Sequence, residues 1–383
     1  MSRALPLPGR LLFLVLPLLM GCDKPSELVA EHLRRGDMAL ADGHFAQALS
    51  AYAHAHELAP HDARVQRAQM RGRVYLLAHA PTRVAQEALE DLAYEATLLR
   101  ETEKGLDAVC LTALGHVLAR RGDMEGAKAK FAEAVKADPQ SHVPHVALGM
   151  FYLNEPSGSA TAKLEFELAL QRKPDAPGAL LGLGRIKLAE GDVAGAIDKL
   201  EAAARQEDDP AVRLALGTAR LRQGKHADAA RELRRALAFD PKNVDALSAL
   251  GQALLGLGQL EEAEDALRTA MQSRQDQATA IALGFTLVKL DRAEQALSIF
   301  GQVLARNARV APAIFGSGMA NERLGKTQEA LVNYRQVLAL PAEGPQKDSV
   351  LELQRDAKGR VDALTPAPAP TSSATVGENP KYL

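Results

Sequence analysis

The chain has 383 residues, of which 47% are hydrophobic, 4% aromatic and 25% charged, with a formal net charge of −2. That length has room for two or three ordinary domains. A nearly neutral charge gives no strong electrostatic case for nucleic acid as a partner, and the scarcity of aromatic side chains suits thin Ala/Leu helix packing better than one bulky core.

The N-terminus opens with Arg3 and Arg10, an apolar run from Leu11 to Leu19, and then Met20-Gly21-Cys22. The run is too short to span a bilayer and fits the apolar region of a secretory signal. Leu19-Met20-Gly21-Cys22 resembles a bacterial lipobox. That resemblance implies cleavage after Gly21, removing residues 1–21, and acylation of Cys22. The alternative is an ordinary signal peptide with an incidental cysteine. Asp23 follows, and by the same resemblance it favours retention at the inner membrane; otherwise it is a solvated linker residue. The expectation is a protein lipid-anchored on the periplasmic side of the cell envelope, inner membrane favoured over outer, since several acyl chains hold firmly where one holds only marginally.

The rest of the chain repeats one pattern. Glycines recur at Gly36, Gly115, Gly149, Gly184, Gly217, Gly251, Gly284 and Gly318, with spacings of 33 to 35 from Gly115 onward. Twelve residues after most of them comes an alanine, as at Ala48, Ala127, Ala196, Ala229, Ala263, Ala296 and Ala330. A bulky residue follows at Tyr52, Phe131, Phe166, Leu200, Leu233, Leu267, Phe300 and Tyr334, and then a small or β-branched one. Several copies close on a proline, at Pro60, Pro139, Pro174 and Pro241. A fixed period of this size means stacked supersecondary units. Each unit reads as a helical hairpin, with the first glycine on one helix and the bulky residue on the next. A second glycine stands at the turn, where the first helix needs a left-handed cap.

This pattern resembles the tetratricopeptide repeat family. The resemblance implies an all-α, right-handed superhelical solenoid over residues 22–341, with eight clear repeats and one irregular copy at about 61–107. The departures are the missing aromatic early in the first helix and Asp291 in place of a turn glycine. In the irregular copy, Gly72, Tyr75 and Ala88 keep part of the pattern, and Pro81-Thr82 is expected to open a long second helix ending near Arg100. Residues 154–162 replace a turn with Pro and Gly. Residues 342–364, through Val350, Leu351, Leu353, Val361 and Leu364, are expected to form a helix that covers the open end of the array. Residues 365–383, rich in Pro, Ala, Ser and Thr, read as a disordered tail.

No catalytic constellation stands out, and the chain is expected not to be an enzyme and to need no cofactor. Cys110 has apolar neighbours and reads as a buried, inert thiol. His54 and His56 point to different helix faces. His142 and His145 could share a face, but no further ligand completes a metal set. Glu261, Glu262, Glu264 and Asp265 read as a solvated acidic surface.

In the resembling family, certain first-helix positions line the concave side. Carried onto this chain they include Met150, Leu181, Leu188, Leu214, Leu221, Ile281, Phe285, Phe315 and Met319, a mostly apolar stripe interrupted by Arg185, Arg222 and Arg323. The implied function is a scaffold that binds partner proteins in that groove within an envelope assembly such as pilus, secretion or exopolysaccharide export machinery. No small-molecule substrate is expected. Several of the stripe leucines could equally be core. Two other readings stay open: an adaptor that docks peptidoglycan enzymes, and a catalytic lipoprotein, for which the repeats leave little room.

Overall fold

The computed structural model describes residues 25–365 except 80, 82, 83, 207 and 344–346. Cys22, Asp23 and the tail after Thr365 lie outside the described residues. Among the described residues there are nineteen α-helices and no strand. They fall into two compact units that divide between Arg172 and Lys173.

The first unit contains α1 (Pro25–Ala41), α2 (Phe45–Leu58), α3 (Ala63–His79), α4 (Leu89–Thr102), α5 (Asp107–Arg120), α6 (Met124–Ala137), α7 (His142–Leu153) and α8 (Ser159–Arg172). The second contains α9 (Pro177–Ala189), α10 (Val193–Gln206), α11 (Pro210–Arg222), α12 (His226–Phe239), α13 (Val244–Leu257), α14 (Leu260–Ser273), α15 (Gln277–Lys289), α16 (Ala293–Arg306), α17 (Ala311–Arg323), α18 (Thr327–Leu338) and α19 (Lys347–Leu364). Within each unit the helices pair as hairpins, and each hairpin packs on the next in chain order, the arrangement of a solenoid.

The glycine register explains the hairpins physically. A methyl group added at Gly184, Gly217 or Gly284 would sit 2.7, 2.6 or 2.5 Å from the nearest atom of Leu200, Leu233 or Phe300. Real Cβ contacts do not come that close, so the bulky residue sixteen positions on occupies the space that a side chain would need. The helix axes thereby approach closely, and Tyr52, Phe131, Phe166, Leu200, Leu233, Leu267, Phe300 and Tyr334 are all almost wholly buried. Full burial of such a side chain is worth about 1.5–3 kcal/mol, and this contact recurs down each unit.

Local signals set the helix ends. The Asn243 side chain accepts from the Ala246 N–H at 3.0 Å and caps α13. Gly258 ends that helix in the left-handed region at φ 76°. Asp291 takes the same role after α15 at φ 60°, a conformation that Asp tolerates better than most residues.

The irregular copy differs from the sequence expectation. Its second helix begins at Leu89, after a 3-10 turn at Gln86–Ala88, not at Pro81-Thr82. Ala85 is extended at φ −66° and ψ 150°, and Arg120 Nη1 donates to the Val84 carbonyl at 2.6 Å. The long connection is thus pinned by the end of α5, outside its own hairpin. Gly72 therefore has no bulky residue of its own hairpin opposite, and the Tyr52 ring of the preceding hairpin faces it instead, 3.1 Å from where a Cβ would lie. Leu89, Leu92, Ala96 and Leu99 fill the core that remains.

At the far end, α19 lays Ala357, wholly buried, and half-buried Leu353, Val361 and Leu364 against Phe315, Tyr334 and Val337. Leu351, expected on the covering face, is exposed. Gln354 Nε2 donates to the Leu340 carbonyl at 2.8 Å and so satisfies one of the carbonyls left bare beyond α18.

Candidate functional site

The odd-numbered helices α9 to α17 are the first helices of the second unit's hairpins, and they pack directly on one another: α9 on α11, α11 on α13, α13 on α15 and α15 on α17. Their shared face is the candidate binding surface. Leu181, Leu188 and Phe315, expected as groove anchors, are buried, with 6, 7 and 7% exposure. Leu214 and Leu221 are half-buried and pack on the cluster around Leu233, Leu250 and Leu254. Ile281, Phe285 and Met319 are half-buried against the cluster that contains Phe300. The Phe285 ring meets the Phe300 ring edge-on at 5.4 Å, and Phe315 leans on Tyr334 at 5.5 Å. In the first unit, Met150 is half-buried.

The stripe therefore lies partly inside the solenoid. Side chains of Leu or Phe size at these positions pack onto the second helices beneath them, as Leu214 does on the cluster of Leu233, Phe285 on Phe300 and Phe315 on Tyr334. The large apolar side chains that do stand out, such as Met38, Tyr94, Leu164, Phe239 and Val332, lie at none of the stripe positions.

Polar groups on and beside this face are mostly bonded within the chain. Arg213 is buried between Asp208 and Glu232, with ion-pair distances of 2.5 and 2.8 Å. These partners hold its guanidinium above the ordinary value against the opposing effect of burial. Arg220 pairs with Glu201, and Arg222 Nη1 donates to the Leu188 carbonyl at 2.7 Å. Glu322 accepts from the Tyr334 hydroxyl at 2.8 Å and pairs with Arg360 at 2.8 Å. Desolvation, and then the Glu322 carboxylate, push the Tyr334 hydroxyl pKa up. The first unit has a parallel device, in which the Tyr52 hydroxyl donates to Asp37 at 2.7 Å and Arg71 pairs with that carboxylate. Arg185 differs from the other arginines on this face: burial lowers its guanidinium and no hydrogen bond offsets that effect.

The groups considered for chemistry are scattered. Among the described residues no three His, Cys, Asp or Glu side chains converge as a metal site. The His145 ring contacts Glu165 at 2.7 Å, whereas His142 faces His79 at 6.2 Å between ring centroids. His54 stacks on His32. Burial pushes the Cys110 thiol up to about 12, an unreactive state. Burial pushes His116 the other way, down to about 4. The acidic row keeps Glu261, Glu262 and Asp265 exposed, but Glu264 is buried and bridges Arg268 and Arg292, each at 2.8 Å. No helix among the described residues is long and apolar enough to cross a membrane.

Comparison with known proteins agrees with this architecture. Models described as "Tetratricopeptide repeat" match residues 158–211 and 220–284. Among solved structures, a chain of the APC/C hetero-tetramer Cut9–Hcn1 superposes with a TM-score of 0.53 at 16% identity, covering 86% of this chain and 76% of that one. PilF of Pseudomonas aeruginosa gives 0.46 at 19% identity, over 57% of this chain and 97% of its own. YrrB, a protein with an unusual peptide-binding site, gives 0.40 at 19% identity, over 48% and 95%. No curated protein matches the chain in sequence.

Proposed function

We propose, from the tetratricopeptide-repeat models that match residues 158–211 and 220–284, that the chain is a tetratricopeptide-repeat scaffold that holds partner proteins on the face formed by its first helices. One observation carries this reading. Nearly all the described residues belong to hairpins whose second helices and bulky residues are consumed by packing, while Leu214, Leu221, Ile281, Phe285 and Met319 keep part of their apolar surface on one shared face. Half-exposed apolar side chains aligned on stacked helices suit an amphipathic helix or an extended segment, which lays anchors into successive shallow sites.

In this reading the scaffold acts at the cell envelope. The lipobox-like run ending at Cys22 supports attachment by acylation, and Asp23 supports the inner membrane. Only Asp23 and Lys24 separate Cys22 from Pro25, the first residue of α1. Three residue steps span at most about 10 Å, so an acylated Cys22 holds the first hairpin against the headgroups. The assembly served would be an export, secretion or pilus machine of the envelope.

The test places a photo-crosslinking residue at Leu221 or Phe285, and in parallel at the outward positions Glu262 or Gln302, in cells making the full-length chain. Crosslinks to a discrete protein from the first pair and not the second are expected, together with release from the membrane fraction when Cys22→Ser is introduced. Crosslinks only from the outward positions would overturn the assignment of the face. A Cys22→Ser protein that stays membrane-bound would overturn the anchor.

A further inference from the structure

Five arginines among the described residues are buried or half-buried: Arg71, Arg172, Arg185, Arg213 and Arg220. Four of them are bonded inside the chain. Arg71 pairs with Asp37, Arg213 with Asp208 and Glu232, and Arg220 with Glu201. Arg172 donates to the Pro139 and Leu168 carbonyls at 3.2 Å. Arg185 has no hydrogen bond and no ion pair with any described residue. Burial pulls its guanidinium below the ordinary arginine value, and only Asp209, at longer range, opposes this. Asp209 is itself engaged, accepting the Ala211 and Val212 N–H groups at the start of α11.

A desolvated, unpaired guanidinium is costly to keep, and it sits on the candidate face. Arg185 lies one turn from Leu181 and one from Leu188 on α9, and α11 puts Leu214 and Thr218 at the equivalent positions. The Thr218 hydroxyl donates to the Leu214 carbonyl at 2.9 Å and makes no hydrogen bond with the guanidinium. Nothing on the neighbouring first helices answers it. Of the seven basic and two acidic side chains on the five first helices of the second unit, Lys187, Arg213, Arg220 and Arg323 already pair with carboxylates and Arg222 with a carbonyl, unlike Arg185. Both acids are already taken, Asp245 by Arg274 and Glu322 by Tyr334 and Arg360.

We propose that Arg185 docks the carboxylate of an Asp or Glu side chain on a partner segment whose apolar residues lie along the neighbouring first helices toward Phe285 and Met319. The proposal rests on the reading of this face as the partner-binding surface. One planar guanidinium fork donates two parallel hydrogen bonds to one carboxylate, which matches an acidic side chain within a segment. In a partly desolvated setting such a pair fixes the register of the bound segment and confers specificity.

The test is a peptide-display selection, with peptides fused at their C-termini, on the immobilised full-length chain in mild detergent. It is run on the wild type, Arg185→Met and Arg185→Lys. Wild type is expected to enrich peptides with Asp or Glu at a fixed distance from an apolar run, and Arg185→Met to keep the apolar run and lose the acid. The best peptide should bind Arg185→Met about tenfold or more weaker, as expected for loss of a charge-assisted pair, with Arg185→Lys intermediate. Its Glu→Gln form should bind wild type equally weakly, a comparison that needs no altered protein. Enriched peptides without an acid, an acid preference that survives in Arg185→Met, or binding that requires a free C-terminal carboxylate would each overturn the role of Arg185 and leave the surface standing. Failure to enrich any peptide would overturn the binding surface itself.

Discussion

Gly284→Ala should loosen the α15–α16 hairpin, although alanine is the better helix former. Its methyl group would lie 2.5 Å from Phe300 Cε1 and 2.6 Å from Cζ. The Phe300 ring has nowhere to go: it is wholly buried, meets the Phe285 ring edge-on, and also abuts Gly316 so closely that a Cβ there would clash. Overpacking of this kind costs about 1–3 kcal/mol, against a helix-propensity gain of roughly 1 kcal/mol, so a net loss is expected. Gly301→Ala, on α16 in the same hairpin, is the control. Nothing lies within 4 Å of a Cβ there, and the same chemical change should stabilise by about 0.5–1 kcal/mol. Native-state hydrogen exchange of the α15 and α16 amides reads both effects locally, which suits a solenoid whose hairpins open in part. In a Phe300→Ala background, itself costing about 3–5 kcal/mol, Gly284→Ala should turn neutral or favourable, and that change of sign is the coupling. Equal stabilisation by Gly284→Ala and Gly301→Ala would refute the reasoning that the glycine register sets the helix separation.

Two more outcomes follow from the same contacts. His116 is held at about 4 in the folded chain by burial, with His79 and Arg120 adding to the effect and the Ala78 carbonyl opposing it, against an ordinary value of 6.5. Between those values the unfolded chain binds a proton that the folded chain refuses, so stability is full above pH 6.5 and falls as pH drops toward 4; His116→Leu should flatten this dependence in urea titrations, and an unchanged pH profile would count against it. Ending the chain at Leu340 removes α19 and uncovers Phe315, Tyr334 and Val337. Loss of about 3 kcal/mol of burial should lower the melting temperature by roughly 5–10 °C, whereas ending it at Leu364 should change little, and equal effects of the two truncations would argue against α19 as a cover.

What the sequence by itself determined was the repeating hairpin. The contacts that make it are short in chain distance: a helix period, a turn glycine, and a glycine facing a bulky residue sixteen positions later. Those requirements are written into neighbouring residues, so they recur as a readable pattern, and Asp291 could replace a turn glycine because it too reaches the left-handed region. The start of α4 was not legible, because the connection before it is held at the Val84 carbonyl by Arg120, a partner thirty-six residues away. Nor was the true depth of the stripe. Leu181, Leu188 and Phe315 are buried where position alone made them groove anchors; depth is decided by packing between helices, as where Phe315 meets Tyr334 of α18 and lies under α19. The same holds for charge. Arg185, Arg213 and Arg220 look alike in sequence, and only the packed structure decides that two meet carboxylates from other helices while Arg185 meets none.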